Sequence, residues 1–122
     1  MKKIMIVEDD EHVLDALTLL FQYDGYEVKP VNSGERFFAS LDFQPDVILM
    51  DVCLGQYDVR DSSFQLRYKS HSMAVPIVMM STIADVNKNT LKDCEHAAFI
   101  AKPFALDSLL SVVNGTLQQR LN

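Results

Sequence analysis

Short apolar runs alternate along the chain with longer stretches in which apolar residues recur every three or four positions. The short runs have the length of buried strands, and the longer stretches have the spacing of amphipathic helices. Strands are predicted at residues 3–7, 26–30, 46–50, 77–80 and 97–101. Helices are predicted at residues 11–23, 33–41, 59–68, 86–95 and 106–121. This alternation predicts an α/β fold, a doubly wound five-stranded parallel sheet with helices on both faces and right-handed crossovers.

Local signals mark several boundaries of these elements. Gly25 is predicted to end the first helix in a left-handed conformation, which glycine adopts without steric cost. Asn32 and Glu35 have the spacing of a capping box at the start of the second helix. Pro45 and Pro76 each precede a predicted strand.

The composition is that of an ordinary globular domain. The chain has 122 residues, of which 48% are hydrophobic and 23% are charged. This length fits one domain spanning residues 1–122, with an apolar core large enough to fold without disulfides. No apolar run approaches the roughly 20 residues of a membrane span, and no signal-peptide pattern is present. We therefore expect a cytoplasmic protein with no membrane partner.

The net charge and the cysteines bear on nucleic-acid binding and on the redox state of the thiols. The net charge of −6 argues against direct nucleic-acid binding, which depends on Lys and Arg neutralising phosphates. Cys53 and Cys94 are far apart and have no metal-ligand spacing, so reduced thiols are expected.

Acidic residues follow two of the predicted strands. Glu8, Asp9 and Asp10 come directly after the first strand, and Asp51 comes after the third. The carboxyl ends of parallel strands line the ligand crevice of such a sheet, so these side chains are expected to meet there. Crowded carboxylates need a cation, and Mg²⁺ takes oxygen ligands while often holding a phosphate. The pattern predicts a phosphoryl-transfer site.

Two more polar signals follow the fourth and fifth strands. Ser81 and Thr82 provide hydroxyls, and Lys102 provides an ammonium, both suited to phosphate oxygens. Taken singly, each signal has an ordinary alternative: a helix cap for the acids, a turn for the hydroxyls, a solvated charge for the lysine. Their joint occurrence at successive strand ends favours one site.

The chain resembles, over its whole length, the receiver domain of bacterial two-component response regulators. The resemblance rests on four motifs in the family's order and spacing. These are IVEDD at residues 6–10, PDVILMD at 45–51, PIVMMS at 76–81 and KPF at 102–104. It implies the flavodoxin-like strand order 2-1-3-4-5.

The resemblance also implies roles for the residues of the predicted site. Asp51 is the expected phosphoacceptor, receiving its phosphoryl group from a phosphohistidine on a sensor histidine kinase or phosphotransfer protein. Mg²⁺ or Mn²⁺ is expected on Asp9, Asp51 and the main-chain carbonyl of Cys53, with Glu8 binding through water. Lys102 is the expected phosphate ligand, and a cis peptide is expected between it and Pro103. Asp10 is instead expected to cap the first helix.

The same resemblance implies a switch rather than a turnover enzyme. Ser81 is the expected switch hydroxyl, drawn inward by the phosphoryl group. Phe99 aligns with an aromatic toggle that alters the surface of the fourth helix, fifth strand and last helix, read by an output protein or domain. An ordinary core aromatic is an equal alternative for Phe99. Cys53 and Ile83 flank the expected water path and are nearly apolar, which predicts slow autodephosphorylation.

One stretch departs from the family pattern. Gly55 comes early in the loop after Asp51, and Val59 stands where glycine is usual. Because valine disfavours positive φ, we expect a reshaped or partly disordered entry to the third helix. A degenerate receiver acting as a constitutive interaction module therefore remains an alternative.

Two further classes share parts of the pattern. A flavodoxin-like cofactor binder needs a phosphate loop after the first strand, where Glu8 and Asp9 would repel the phosphate. An aspartyl-phosphate hydrolase needs a second carboxylate beside the acceptor, where Val52 and Cys53 stand instead.

Overall fold

The computed structural model describes residues 1–55, 57–59, 61–71, 74–82 and 97–121. The strands are β1 (Lys3–Val7), β2 (Glu27–Val31), β3 (Val47–Asp51), β4 (Cys53–Leu54), β5 (Tyr57–Asp58), β6 (Ile77–Thr82) and β7 (Ala97–Lys102). The helices are α1 (Glu11–Tyr23), α2 (Gly34–Ala39), α3 (Ser62–Lys69) and α4 (Leu106–Leu121), with a 3₁₀ turn at Leu41–Phe43. The helix predicted at residues 86–95 lies outside the described residues, as do Ile83 and Cys94.

Five strands form one parallel sheet in the order β2-β1-β3-β6-β7. The predicted doubly wound sheet and its strand order are confirmed, since β6 and β7 are the fourth and fifth strands of the prediction. The register places Val7 beside Met50, Asp51 beside Met80, and Thr82 beside Lys102. Glu8, Asp51, Ser81 and Lys102 therefore lie along one edge of the sheet, at the carboxyl ends of the strands.

Apolar side chains cover both faces of the sheet. Residues 4–7 of β1 and residues 47–50 of β3 are fully buried, as expected for central parallel strands. One face packs on a cluster rich in aromatic rings from α2 and α3, including Phe37, Phe38, Phe64 and Tyr68. The other face packs on α1 and α4, including Leu14, Leu17, Phe21, Leu109, Val113 and Leu117. No helix in the described ranges is long and apolar enough to cross a membrane.

Capping explains where α1 and α2 begin. The Asp10 carboxylate accepts hydrogen bonds from the amides of His12 and Val13, which confirms it as the cap of α1. The predicted cap of α2 is wrong by one residue: Ser33, rather than Asn32, accepts from the Arg36 amide at 3.2 Å. Ser33 has the extended backbone of an N-cap, because β2 continues one residue further than predicted.

The end of α1 agrees with the sequence-based prediction, whereas the end of α2 differs from it. Gly25 follows α1 with a φ of 93°, which confirms the predicted left-handed end. Helix α2 ends at Ala39 instead of continuing to Leu41, and a 3₁₀ turn follows it.

A small antiparallel hairpin precedes the third helix. Strands β4 and β5 pair Cys53 with Asp58 and Leu54 with Tyr57, so α3 begins at Ser62 rather than near Val59. Gly55 supplies the turn with a φ of 58°. Val59 is fully buried and does not have positive φ; among the residues described, Gln44 is the non-glycine with that geometry. The chain thus avoids strain by pairing the loop with itself.

Candidate functional site

Three carboxylates meet at the carboxyl edge of the sheet. One oxygen each from Glu8, Asp9 and Asp51 lies within 4.8 Å of the other two. Glu8 is buried, Asp51 is half-buried and Asp9 is exposed, so the cluster is open to solvent on the Asp9 side. The cluster thus forms an open depression, with Glu8 as its most buried residue.

Main-chain amides fix the orientation of each carboxylate. The Asp10 amide donates to Glu8 Oε1 at 3.2 Å, and the Cys53 amide donates to Asp51 Oδ1 at 3.0 Å. The Gly55 amide, at the turn of the hairpin, donates to Asp9 Oδ2 at 3.2 Å. Each carboxylate is therefore held by a main-chain donor rather than by side-chain packing alone.

Lys102 is the cation of the cluster. Its Nζ lies 2.8 Å from Asp51 Oδ2 and 3.3 Å from Glu8 Oε2. Burial alone lowers the pKa of Lys102, but the hydrogen bond and charge of Asp51, together with Glu8, outweigh it and raise that pKa. Lys102 therefore stays charged. The peptide bond between Lys102 and Pro103 is cis, as predicted.

Glu8 has the most perturbed titration of the site. Its pKa is raised from 4.5 to about 7, first by burial and then by the hydrogen bond and negative charge of Asp51. The Asp10 amide and the Lys102 ammonium oppose this rise without cancelling it. Near neutral pH Glu8 is poised between its neutral and ionised forms.

The donor set fits a hard divalent cation. The cluster has three carboxyl groups and one ammonium, which contacts Glu8 and Asp51, and its oxygens are the ligand type that Mg²⁺ and Mn²⁺ prefer. Cys53 lies two residues after Asp51, and its amide donates to that carboxylate, so its main chain runs beside the cluster. The role of its carbonyl as a cation ligand stays a prediction.

A family model for the response regulator receiver domain matches residues 4–114. The chain is a receiver domain of this family. Its curated relatives include the regulatory protein AtoC of Escherichia coli, which is 32% identical over 95% of the chain. Protein PilH of Pseudomonas aeruginosa is 26% identical over 96% of the chain and 98% of its own length.

Solved structures agree with this membership. A putative response regulator from Chloroflexus aurantiacus superposes with a TM-score of 0.82 at 28% identity, covering 96% of this receiver and 98% of that chain. The chemotaxis response regulator CheY4 of Vibrio cholerae gives a TM-score of 0.80 at 25% identity, covering 95% and 98%. The receiver spans only 25% of AtoC and 50% of the DNA-binding regulator RpaA of Synechocystis, so those proteins hold further regions.

The hydroxyl of the receiver's Ser81 lies in a buried position. The residue is 3% exposed, and within the described ranges its Oγ has no hydrogen-bond partner. A buried hydroxyl without a partner is costly unless a ligand or water supplies one. Ser81 is paired with Ala101, one residue before Lys102, which places it beside the cluster.

The predicted roles of Phe99 and Cys53 remain untested. Phe99 is half-buried, pairs with Met79, and packs against the aromatic-rich cluster. This position suits both an ordinary aromatic of the core margin and a ring that moves, so its toggle role stays a prediction. Cys53 is exposed beside Asp51, whereas Ile83 lies outside the described residues, so the lifetime prediction is untested.

Sequence reasoning missed two features, one in the receiver's candidate site and one on a helix outside it. One is the hairpin, whose amides of Cys53 and Gly55 contact the carboxylates. Gly55 was the available signal, because an early glycine is what a two-residue turn needs. The other is Gln65 of α3, a buried polar residue that the helical pattern does not distinguish from a surface one.

Proposed function

We propose that residues 1–122 act as one receiver domain that accepts a phosphoryl group on Asp51 from the phosphohistidine of a sensor histidine kinase or phosphotransfer protein. The observation that carries the proposal is the Asp51 carboxylate, held 2.8 Å from the Lys102 ammonium and within 4.8 Å of the Glu8 and Asp9 oxygens. The proposed nucleophile Asp51, the neutralising Lys102 and the proposed cation ligands thus lie together in one open depression.

The proposed reaction is an in-line displacement at phosphorus. An oxygen of Asp51 attacks, the phosphorus–nitrogen bond breaks, and the departing imidazole keeps the electron pair and takes up a proton. Such transfer depends mainly on positioning and on neutralising charge on the phosphoryl oxygens. The Cys53 amide fixes one oxygen of Asp51, which leaves the other beside Lys102.

Glu8, Asp9, Asp51 and the Cys53 carbonyl are the proposed ligands of Mg²⁺ or Mn²⁺, with Glu8 acting through water. When bound, the cation would supply neutralisation of phosphoryl charge. The Lys102 ammonium would also neutralise phosphoryl charge. Its hydrogen bond would move from the Asp51 carboxylate to the phosphoryl oxygens. The buried position of Glu8 holds it beneath these ligands and limits its motion.

The proposed output is a conformational switch. A phosphoryl group on Asp51 would offer acceptor oxygens to the Ser81 hydroxyl, whose lack of a partner in the described structure supports this role. Movement of Ser81 would then reach Phe99 and the surface formed by β7, α4 and the predicted helix at residues 86–95. The output partner is proposed to be a downstream protein or domain; the cytoplasmic location stays a prediction.

The test is phosphorylation by a small donor. We expect acetyl phosphate with Mg²⁺ to add one phosphoryl mass to the intact protein and to the peptide containing Asp51. Asp51→Asn should abolish the added mass, because the amide is a poor nucleophile. Asp46→Asn, a carboxylate at the opposite edge of the sheet, should leave it unchanged.

Two results would count against the proposal. Labelling that persists in Asp51→Asn would place the acceptor elsewhere. No labelling of the folded wild-type protein at any Mg²⁺ concentration would instead favour the constitutive interaction module.

A further inference from the structure

The hairpin reaches into the site through two amides of its first strand and turn. The Cys53 amide contacts Asp51, and the Gly55 amide contacts Asp9. Cys53 lies on β4 and Gly55 in the turn that follows it, so one short segment of the hairpin orients two of the three carboxylates. The position of the hairpin therefore sets the position of the proposed cation ligands.

The base of the hairpin is tied to the sheet. The Val52 amide donates to the Met80 carbonyl at 2.9 Å, and the Val59 amide donates to the Val52 carbonyl at 2.9 Å. Val52, Leu54 and Val59 are at most 2% exposed and belong to the aromatic-rich core. These contacts hold the first strand of the hairpin firmly, and they make Val59 the anchor of the returning strand.

Gln65 holds that anchor from α3. Its Nε2 donates to the Val59 carbonyl at 2.5 Å, and the residue is only 6% exposed. Of the described residues, three polar or charged ones are buried, and the other two, Glu8 and Ser81, belong to the site. Burying a carboxamide is costly unless it is hydrogen-bonded, so Gln65 is placed for a specific contact rather than for packing.

We propose that Gln65 is a positioning residue of the phosphoryl-acceptor site. It fixes Val59 and hence the hairpin, which keeps the amides of Cys53 and Gly55 on the carboxylates of Asp51 and Asp9. This inference rests on the proposed function for its catalytic meaning. Its structural part is that a helix outside the site controls two hydrogen bonds from amides to carboxylates. Those hydrogen bonds can be measured in the metal-free protein.

The first experiment compares Gln65→Met with wild type in the absence of metal. Methionine has a similar size but cannot donate to the Val59 carbonyl. We expect the amide proton resonances of Cys53 and Gly55 to move upfield as their bonds to carboxylates weaken. The same samples are then titrated with Mg²⁺. The affinity should fall about threefold to tenfold, less than the roughly 10- to 100-fold typical of groups that touch the ligands directly.

Tyr68→Phe is the matched control. Tyr68 lies on the same helix and also donates from its side chain to a carbonyl, that of Val75 at 3.2 Å, but Val75 precedes β6 and is not part of the hairpin. This variant should lose comparable thermal stability while both amide resonances and the Mg²⁺ affinity stay unchanged. A purely structural role for Gln65 predicts that the two variants behave alike.

Different results would contradict the role of Gln65 and the proposed function. Unchanged Cys53 and Gly55 resonances in Gln65→Met, with unchanged Mg²⁺ affinity, would overturn the proposal. If that variant does not fold, Gln65→Glu, which keeps the side-chain length but removes the donor when ionised, is judged by the same criteria. Wild-type protein that neither binds Mg²⁺ nor accepts a phosphoryl group would sink the proposed function, while the metal-free resonances would still decide the role of Gln65.

Discussion

The two edges of the sheet treat their polar groups in opposite ways. At the amino edge, the Lys3 amide donates to Asp46 Oδ2 at 2.9 Å, and its ammonium donates to the Phe43 carbonyl at 3.2 Å. At the carboxyl edge, one ammonium serves the carboxylates of Glu8 and Asp51 together. The amino edge is arranged to be satisfied as it stands, whereas the carboxyl edge is left short of positive charge.

Hydrogen bonding shows the same contrast. Near the amino edge, the Tyr26 hydroxyl donates to Asn114 Oδ1 at 2.5 Å, and Asn114 Nδ2 donates to Asp24 Oδ2 at 3.3 Å, which links the turn between α1 and β2 to α4. At the carboxyl edge, the buried Ser81 hydroxyl has no partner among the residues described. The fold therefore places its unmet electrostatic and hydrogen-bonding demands at one edge, where a ligand can meet them.

The largest expected effect comes from removing the lysine of each edge in turn. Lys102→Met should slow phosphorylation of Asp51 by acetyl phosphate on the order of 100-fold, because it removes a preorganised charge from the transferring group. Lys3→Met should leave that rate within about twofold, since it loses a half-exposed ion pair worth little. Intact-protein mass spectrometry over time measures both rates. Equal rates for the two variants would erase the functional contrast between the edges.

The second effect concerns pH. The pKa of Glu8 is raised from 4.5 to about 7, mainly by burial, so the stability that neutral Glu8 contributes is fully present below pH 4.5 and is lost as the pH rises through 7. Asp51 also raises the pKa of Glu8, whereas the charge of Lys102 lowers it. In metal-free buffer, Glu8→Gln should remove on the order of 2 kcal/mol of this pH dependence from the free energy of unfolding.

Urea unfolding of wild type and Glu8→Gln at several pH values between 4.5 and 8 checks this prediction. Asp46→Asn is the control at the amino edge and should preserve the wild-type pH profile across that window. Parallel profiles for wild type and Glu8→Gln would show that Glu8 titrates normally.

The smallest effect is a gain in stability away from the site. Gly115 lies inside α4 beside Asn114, and a Cβ added there meets open space. Gly115→Ala should stabilise the protein by about 0.5–1 kcal/mol, because alanine loses less backbone freedom in a helix. Gly25→Ala, at a φ of 93°, should instead destabilise it. Thermal unfolding measures both, and a phosphorylation rate altered by Gly115→Ala would argue that the two edges are coupled.

The sequence was sufficient for the sheet and its functional edge because those features depend on long, regular signals. Apolar runs mark parallel strands, and parallel strands must bring Glu8, Asp51 and Lys102 to one edge. The hairpin escaped prediction because β4 and β5 have two residues each, too few to show a period of two. Its position instead depends on tertiary contacts such as that between Gln65 and Val59.

Finer details depended on geometry that composition does not encode. Asn32 and Ser33 are both good helix caps, and only the extended backbone at Ser33 decides between them. The raised pKa of Glu8 follows from its burial beside Asp51, which no spacing rule specifies. The same holds for Ser81, whose burial is a property of the packed interior rather than of the residue type.

The hairpin has a consequence for protein engineering. Its bonds, from Val52 to Val59 and from Val59 to Gln65, join residues close together in sequence, so the segment of residues 52–65 carries much of its own scaffolding. An isolated hairpin is marginally stable, so a recipient protein must also provide the buried positions that Val52, Leu54 and Val59 occupy here. In another receiver with such a core, residues 52–65 would be a cassette for grafting after the phosphoacceptor strand, where two amides would be delivered to that protein's acidic side chains as a unit.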